Sequence, residues 1–106
     1  SFSIEELLAT KLRALYQRRK GRDLFDLNHA LTELKVDTQQ LLKTYREYMS
    51  FSKGQSPTQK QFLLNMDEKI EDPDFGGDIY ALLRPGIEYD QRHAYEIIKE
   101  QLISKS

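Results

Sequence analysis

Apolar residues recur three and four positions apart along most of the chain, and no long run alternates with a period of two. Spacing of three and four lines side chains along one face of a helix, whereas a half-buried strand needs alternation. Ile4, Leu7, Leu8, Leu12 and Leu15 make a first stripe, and Leu24, Leu27, Asn28, Leu31 and Leu34 a second. Leu41, Leu42, Tyr45, Tyr48 and Met49 make a third, and Phe62, Leu63, Met66 and Ile70 a fourth. Ala94, Ile97, Ile98 and Leu102 close the series. The pattern predicts an all-α fold, a bundle of about five helices, with residues 1–106 forming a single helical domain.

Start and stop signals divide these stripes. Ser3 with Glu6 has the spacing of a capping box, in which hydroxyl and carboxylate satisfy orphan backbone N–H groups, and Asp37 with Gln40 repeats it. Ser56-Pro57 reads as an N-cap followed by proline at the first helical position, where its missing N–H does no harm. Asp90 reads as the cap of the last helix. Gly21 either ends the first helix or lies inside a longer one, at a cost of about 1 kcal/mol relative to alanine. If the helix breaks, Asp23 caps or opens the second. The Pro, Gly and Asp content of 71–77 predicts a turn or loop. Asp78 is then expected to cap a short helix holding Ile79, Leu82 and Leu83, stopped by Pro85-Gly86.

Composition narrows the chemistry. A formal net charge of -1 over 106 residues excludes a globally basic nucleic-acid binder but leaves room for a local basic face. The absence of cysteine removes disulfides and thiolate metal sites. Two histidines, His29 and His93, are too few for a zinc site. His29 is expected to pack beside the second stripe, and His93 to serve a surface or capping role. No apolar run reaches membrane-spanning length and no signal-peptide pattern opens the chain, so a cytoplasmic protein without a membrane partner is expected. The chain opens without methionine, just ahead of a helical pattern, which suggests a piece of a longer protein.

One segment concentrates charge and apolar surface together. Between Lys11 and Leu27 stand six basic residues (Lys11, Arg13, Arg18, Arg19, Lys20, Arg22) and two acids (Asp23, Asp26), threaded with leucine and phenylalanine. Positions 11, 15, 18 and 22 share one helical face, so Lys11 and Arg18 flank Leu15, and Arg22 extends the row if the helix runs on. Lys11 is surrounded on the wheel by leucines. Its ammonium either snorkels outward or faces a surface bearing negative charge. Cations after the first helix also complement its dipole. The chemistry that needs such a row is phosphate binding, with lysine as a point charge and arginine as a planar fork of donors.

The pattern Lys11-Leu12-x-Ala14-Leu15, then Arg18, then Arg22-Asp23-Leu24-x-Asp26-Leu27 closely resembles a signature of the AbiEii/AbiGii nucleotidyltransferase toxins of bacterial type IV toxin–antitoxin and abortive-infection systems. The likeness covers roughly Ile4 to Leu27. It implies a DNA polymerase β-like enzyme that transfers a nucleotide from a magnesium-bound NTP to an acceptor, tRNA in some members. By this resemblance Lys11, Asp23 and Asp26 are the candidate catalytic residues, and Lys11, Arg18 and Arg22 the candidate phosphate-binding ones. Asp23 or Asp26 would join the active site or orient Lys11 and Arg22 through ion pairs.

The family's catalytic lobe precedes the lysine motif and carries a Gly-Ser pair and metal-binding carboxylates on a β-sheet. No Gly-Ser pair occurs here, and the one Asp-x-Asp, Asp72 to Asp74, brackets a proline. The resemblance therefore implies the C-terminal helical lobe alone, inactive by itself, with magnesium bound mainly by the missing N-terminal lobe. The implied partners are that lobe, NTP, tRNA or other RNA, and a cognate antitoxin. Two non-enzymatic alternatives stand beside this reading: a helical nucleic-acid-binding module using the Arg18–Arg22 face, and a protein-interaction bundle. Tyr45, Tyr48, Tyr80, Tyr89 and Tyr95 either stack on bases or serve as core and rim.

Overall fold

Ser3 opens the first helix as anticipated: its side chain accepts from the Glu6 N–H at 3.1 Å in the computed structural model, which describes residues 3–53, 57–80, 83 and 89–105. Among these residues the chain forms six α-helices, a final 3-10 turn and no strand: α1 (Ile4–Gln17), α2 (Gly21–Glu33), α3 (Thr38–Lys53), α4 (Gln59–Glu71), α5 (Pro73–Tyr80), α6 (Gln91–Gln101) and the 3-10 turn Ile103–Lys105. The fold is all-α. Asp37 caps the start of α3 through the Gln40 N–H at 3.1 Å, and Asp90 caps α6 through the His93 N–H at 3.1 Å.

α1 is the central element. It packs chiefly against α3 and α2, while α2 also contacts α5 and α6. Leu8, Leu12 and Leu15 of α1 meet Leu24 and Leu27 of α2, Leu41, Tyr45 and Met49 of α3, and Phe62 and Met66 of α4 in one buried cluster. α6 closes it with Ala94, Ile98 and Leu102. Burial of the leucine, isoleucine, methionine and phenylalanine side chains among them contributes about 1.5–3 kcal/mol each, which makes the cluster the main source of stability. Leu34, expected inward, is half-exposed because α2 ends one residue before it.

Three local expectations are corrected. First, α4 is capped by Thr58, not Ser56, which lies outside the described residues. Thr58 and Gln61 form a reciprocal capping box, with N–H donation at 3.1 and 2.8 Å, so Pro57 precedes the cap. Second, the stretch read as a loop is largely helix α5, and Asp78 lies inside it rather than at its start. The Asp72 carboxylate accepts the Asp74 N–H at 2.9 Å and its carbonyl accepts the Phe75 N–H at 3.1 Å. Pro73 takes the first helical position, which suits its fixed φ. Phe75 is fully buried, and that anchoring outweighs the helix-weakening effect of Gly76 and Gly77. Leu82, Pro85 and Gly86 lie outside the described residues. Third, His29 is exposed rather than packed inward, its ring stacked on Phe25 with centroids 6.2 Å apart. Tyr45 and Tyr95 are buried, and Tyr48 and Tyr89 half-buried against the core; the Tyr80 side chain lies outside the described residues.

Candidate functional site

The chain breaks between α1 and α2, and the break comes before Gly21. α1 stops at Gln17; Arg18 caps it in an extended conformation (φ −134°, ψ 170°), and Lys20 is the N-cap of α2. Gly21 is therefore the first residue of the next helix, not the residue that ends the previous one. Its requirement is contact: a Cβ built there would lie 2.3 Å from the Phe75 carbonyl oxygen of α5. Only a residue without a side chain lets the two backbones approach so closely.

The break folds the cationic row back on the acids that follow it. Asp23, in the first turn of α2, is fully buried. Arg18 grips it in a fork, Nε to Oδ2 and Nη2 to Oδ1, both at 2.9 Å. Two parallel charge-assisted bonds of this kind fix direction as well as distance. Lys11, seven residues before Arg18, places its ammonium 3.0 Å from Asp26 Oδ2 and 3.8 Å from Asp23 Oδ1. The negative charge that Lys11 faces is thus supplied by its own chain. Lys11, Arg18, Asp23 and Asp26 come together as one network. Arg22 stands exposed in the first turn of α2. It does not extend the α1 row, because α1 has already ended.

The network reaches the surface through three of its four members. The Lys11 side chain keeps 27% of its exposure, Asp26 43% and Arg18 51%, against 0% for Asp23. The buried Asp23 carboxylate holds both cations from beneath.

A second set of contacts holds the α1–α2 connector from the α4–α5 corner. Lys69, nearly fully buried on α4, donates from Nζ to the carbonyls of Leu15 and of Tyr16, the latter at 2.7 Å. Arg19 meets Asp72 at 2.7 Å. Burial first, then the nearby Arg19 charge, pushes the Lys69 ammonium down from 10.5 to about 8, with Asp23 opposing. The hydrogen bond from Arg19 and the Asp74 N–H hold the Asp72 carboxyl below its usual range. Neither Lys69 nor Asp72 stood out in the sequence as part of this region. The signal available for Lys69 was its register: 62, 66 and 69 share the inner face of α4, so a lysine sits where an apolar residue is expected.

Among the described residues no group of three or more His, Asp or Glu could hold a metal, and Asp23 and Asp26 are engaged by Arg18 and Lys11. The carboxylates among the described residues do not gather into a magnesium site. Among the described residues no helix is long and apolar enough to cross a membrane.

The fold and the network define an all-α module with a paired charge array at a helix–helix junction. The family model described as nucleotidyl transferase AbiEii toxin, type IV toxin–antitoxin system, matches residues 1–102. The chain belongs to the AbiEii nucleotidyltransferase toxin family. No curated protein and no solved structure matches it.

Proposed function

We propose that this chain is the helical lobe of an AbiEii-type nucleotidyltransferase toxin, and that Lys11 and Arg18 present positive charge to the NTP phosphates during transfer to an acceptor such as tRNA. The observation that supports this reading is the anchoring of both cations on the one buried carboxylate, Asp23, with Asp26 also holding Lys11, while both cationic side chains stay partly exposed. In nucleotidyl transfer the protein mostly positions and neutralises. Cations already oriented by carboxylates need little reorganisation when a polyanion arrives. Asp23 and Asp26 act here by orienting Lys11 and Arg18, and Arg22 supplies further positive charge at the start of α2. The metal-binding carboxylates belong to a sheet-bearing lobe preceding this one, and membership in a toxin–antitoxin family implies a cognate antitoxin partner.

The test is Lys11→Ala in the full-length protein, assayed for incorporation of labelled NTP into total tRNA with magnesium. Transfer should be abolished while the helical circular dichroism signal is retained. Wild-type incorporation by that variant would remove the assigned role.

A further inference from the structure

Lys69 has no place in the phosphate-facing array, yet its ammonium is buried and spent on backbone. The last four carbonyls of an α-helix have no partner within the helix. In α1, Ala14 O receives the Arg18 N–H at 2.9 Å, and Leu15 O and Tyr16 O receive Lys69 Nζ. A cation at this end of the helix also meets the negative pole of its dipole. Arg18 follows Tyr16 by two residues, so the ammonium fixes the point at which the chain leaves α1 and the direction in which Arg18 sets out toward Asp23.

Two further contacts from the same corner act on the same connector. Arg19 pairs with Asp72, and Gly21 lies against the Phe75 carbonyl. Residues 15 to 21 are therefore held at three points by the α4–α5 corner.

We propose that Lys69 is a positioning residue for the nucleotide site: it locks the end of α1 so that Arg18 meets Asp23 in the fork that faces the phosphates. This rests on the phosphate-binding role proposed above. The groups that face the Lys69 ammonium are the Leu15 and Tyr16 carbonyls, the Tyr16 ring at 5.9 Å, Arg19 and Asp23.

The experiment is steady-state transfer by the full-length protein as wild type, Lys69→Met, Lys69→Arg and Lys11→Ala. Lys69→Met should raise KM for NTP about tenfold, the scale expected when a binding group is displaced by less than an ångström, with kcat nearly unchanged. A merely structural role would reduce the amount of active enzyme, lowering apparent kcat and leaving KM alone. Lys69→Arg, which keeps a cationic donor, should restore KM. If Lys69→Met does not fold, Lys69→Gln decides: it stays polar but its shorter side chain cannot span to the Leu15 and Tyr16 carbonyls, so KM for NTP should rise severalfold, and an unchanged KM overturns the proposal. Unchanged KM in a folded Lys69→Met, beside an inactive Lys11→Ala, also overturns it and spares the site. Full activity of Lys11→Ala instead overturns the phosphate-binding reading itself.

Discussion

Arg18 and Asp23 lie five residues apart and on opposite sides of a helix break, yet their side chains meet in a two-bond fork at 2.9 Å. A continuous helix would carry position 23 well round the axis from position 18. The break is what turns a linear row of cations into a network closed on its own carboxylates. Charge that the sequence displays along one face is, in the fold, mostly spent on Asp23 and Asp26.

Replacing Asp23 by Asn should therefore cost more than a surface substitution. It removes the charged acceptor of Arg18 at a fully buried position and weakens the hold on Lys11. Breaking a buried pair by removing one partner costs about 3–5 kcal/mol. The half-exposed Arg18 can recover water, so the lower end of that range is expected. Urea unfolding of wild type and Asp23→Asn checks this; equal midpoints would mean that the fork carries no net stability.

Gly21→Ala should destabilise although alanine is the better helix former. The added methyl would sit 2.3 Å from the Phe75 carbonyl oxygen, and backbone cannot give way as the end of a flexible side chain can. Forcing α2 and α5 apart is an overpacking cost of about 1–3 kcal/mol, larger than the gain in propensity. A thermal melt of Gly21→Ala at or above the wild-type midpoint would contradict the close approach.

Tyr45→Phe tests the opposite situation. The Tyr45 hydroxyl is buried and has no hydrogen-bond partner among the described residues, and burial, with a smaller effect of Tyr16, raises its pKa above the ordinary value of 10.0. An unsatisfied buried hydroxyl costs about 1–3 kcal/mol. Phenylalanine keeps the ring in the core and its edge contact with Phe62. The variant should match or exceed wild type in urea midpoint; a clear loss would reveal a partner for the hydroxyl.

The helices were legible because their signals are local. Ser3, Asp37 and Asp90 announce themselves by the chemistry of the next three residues, and the apolar stripes by spacing. α5 was not legible, since Asp72-Pro73 and Gly76-Gly77 carry turn composition and only the burial of Phe75 and the approach of Gly21 make helix the better outcome. Both are tertiary facts. The candidate site was half legible. Lys11 and the two aspartates stood out by residue type and position, but their pairing depends on where α1 stops. Lys69 was hidden because its partners are backbone carbonyls 53 and 54 positions away, and backbone leaves no trace in side-chain identity.

The same lysine gives a pH signature. In the folded chain burial and Arg19 bring its pKa from 10.5 to about 8; in the unfolded chain it returns to its ordinary value. Below pH 8 both states are protonated, and Lys69 contributes no pH dependence. Between about 8 and 10.5 the folded state has released the proton and the unfolded state still holds it. Stability rises with pH wherever the unfolded state binds more protons, so raising the pH through this window favours folding. The neutral amine keeps N–H groups to donate to Leu15 and Tyr16. Lys69→Met lacks both the charge and the donors, and it should lose about 1–3 kcal/mol. Subtracting its urea midpoint from that of wild type cancels the other titrating groups. The difference should be flat from pH 6 to 7.5 and then grow in favour of wild type toward pH 10, by an amount on the order of 2 kcal/mol. A difference that shrinks over that interval would mean that the ammonium is held more tightly in the fold than in the free chain, and that burial is not what governs it.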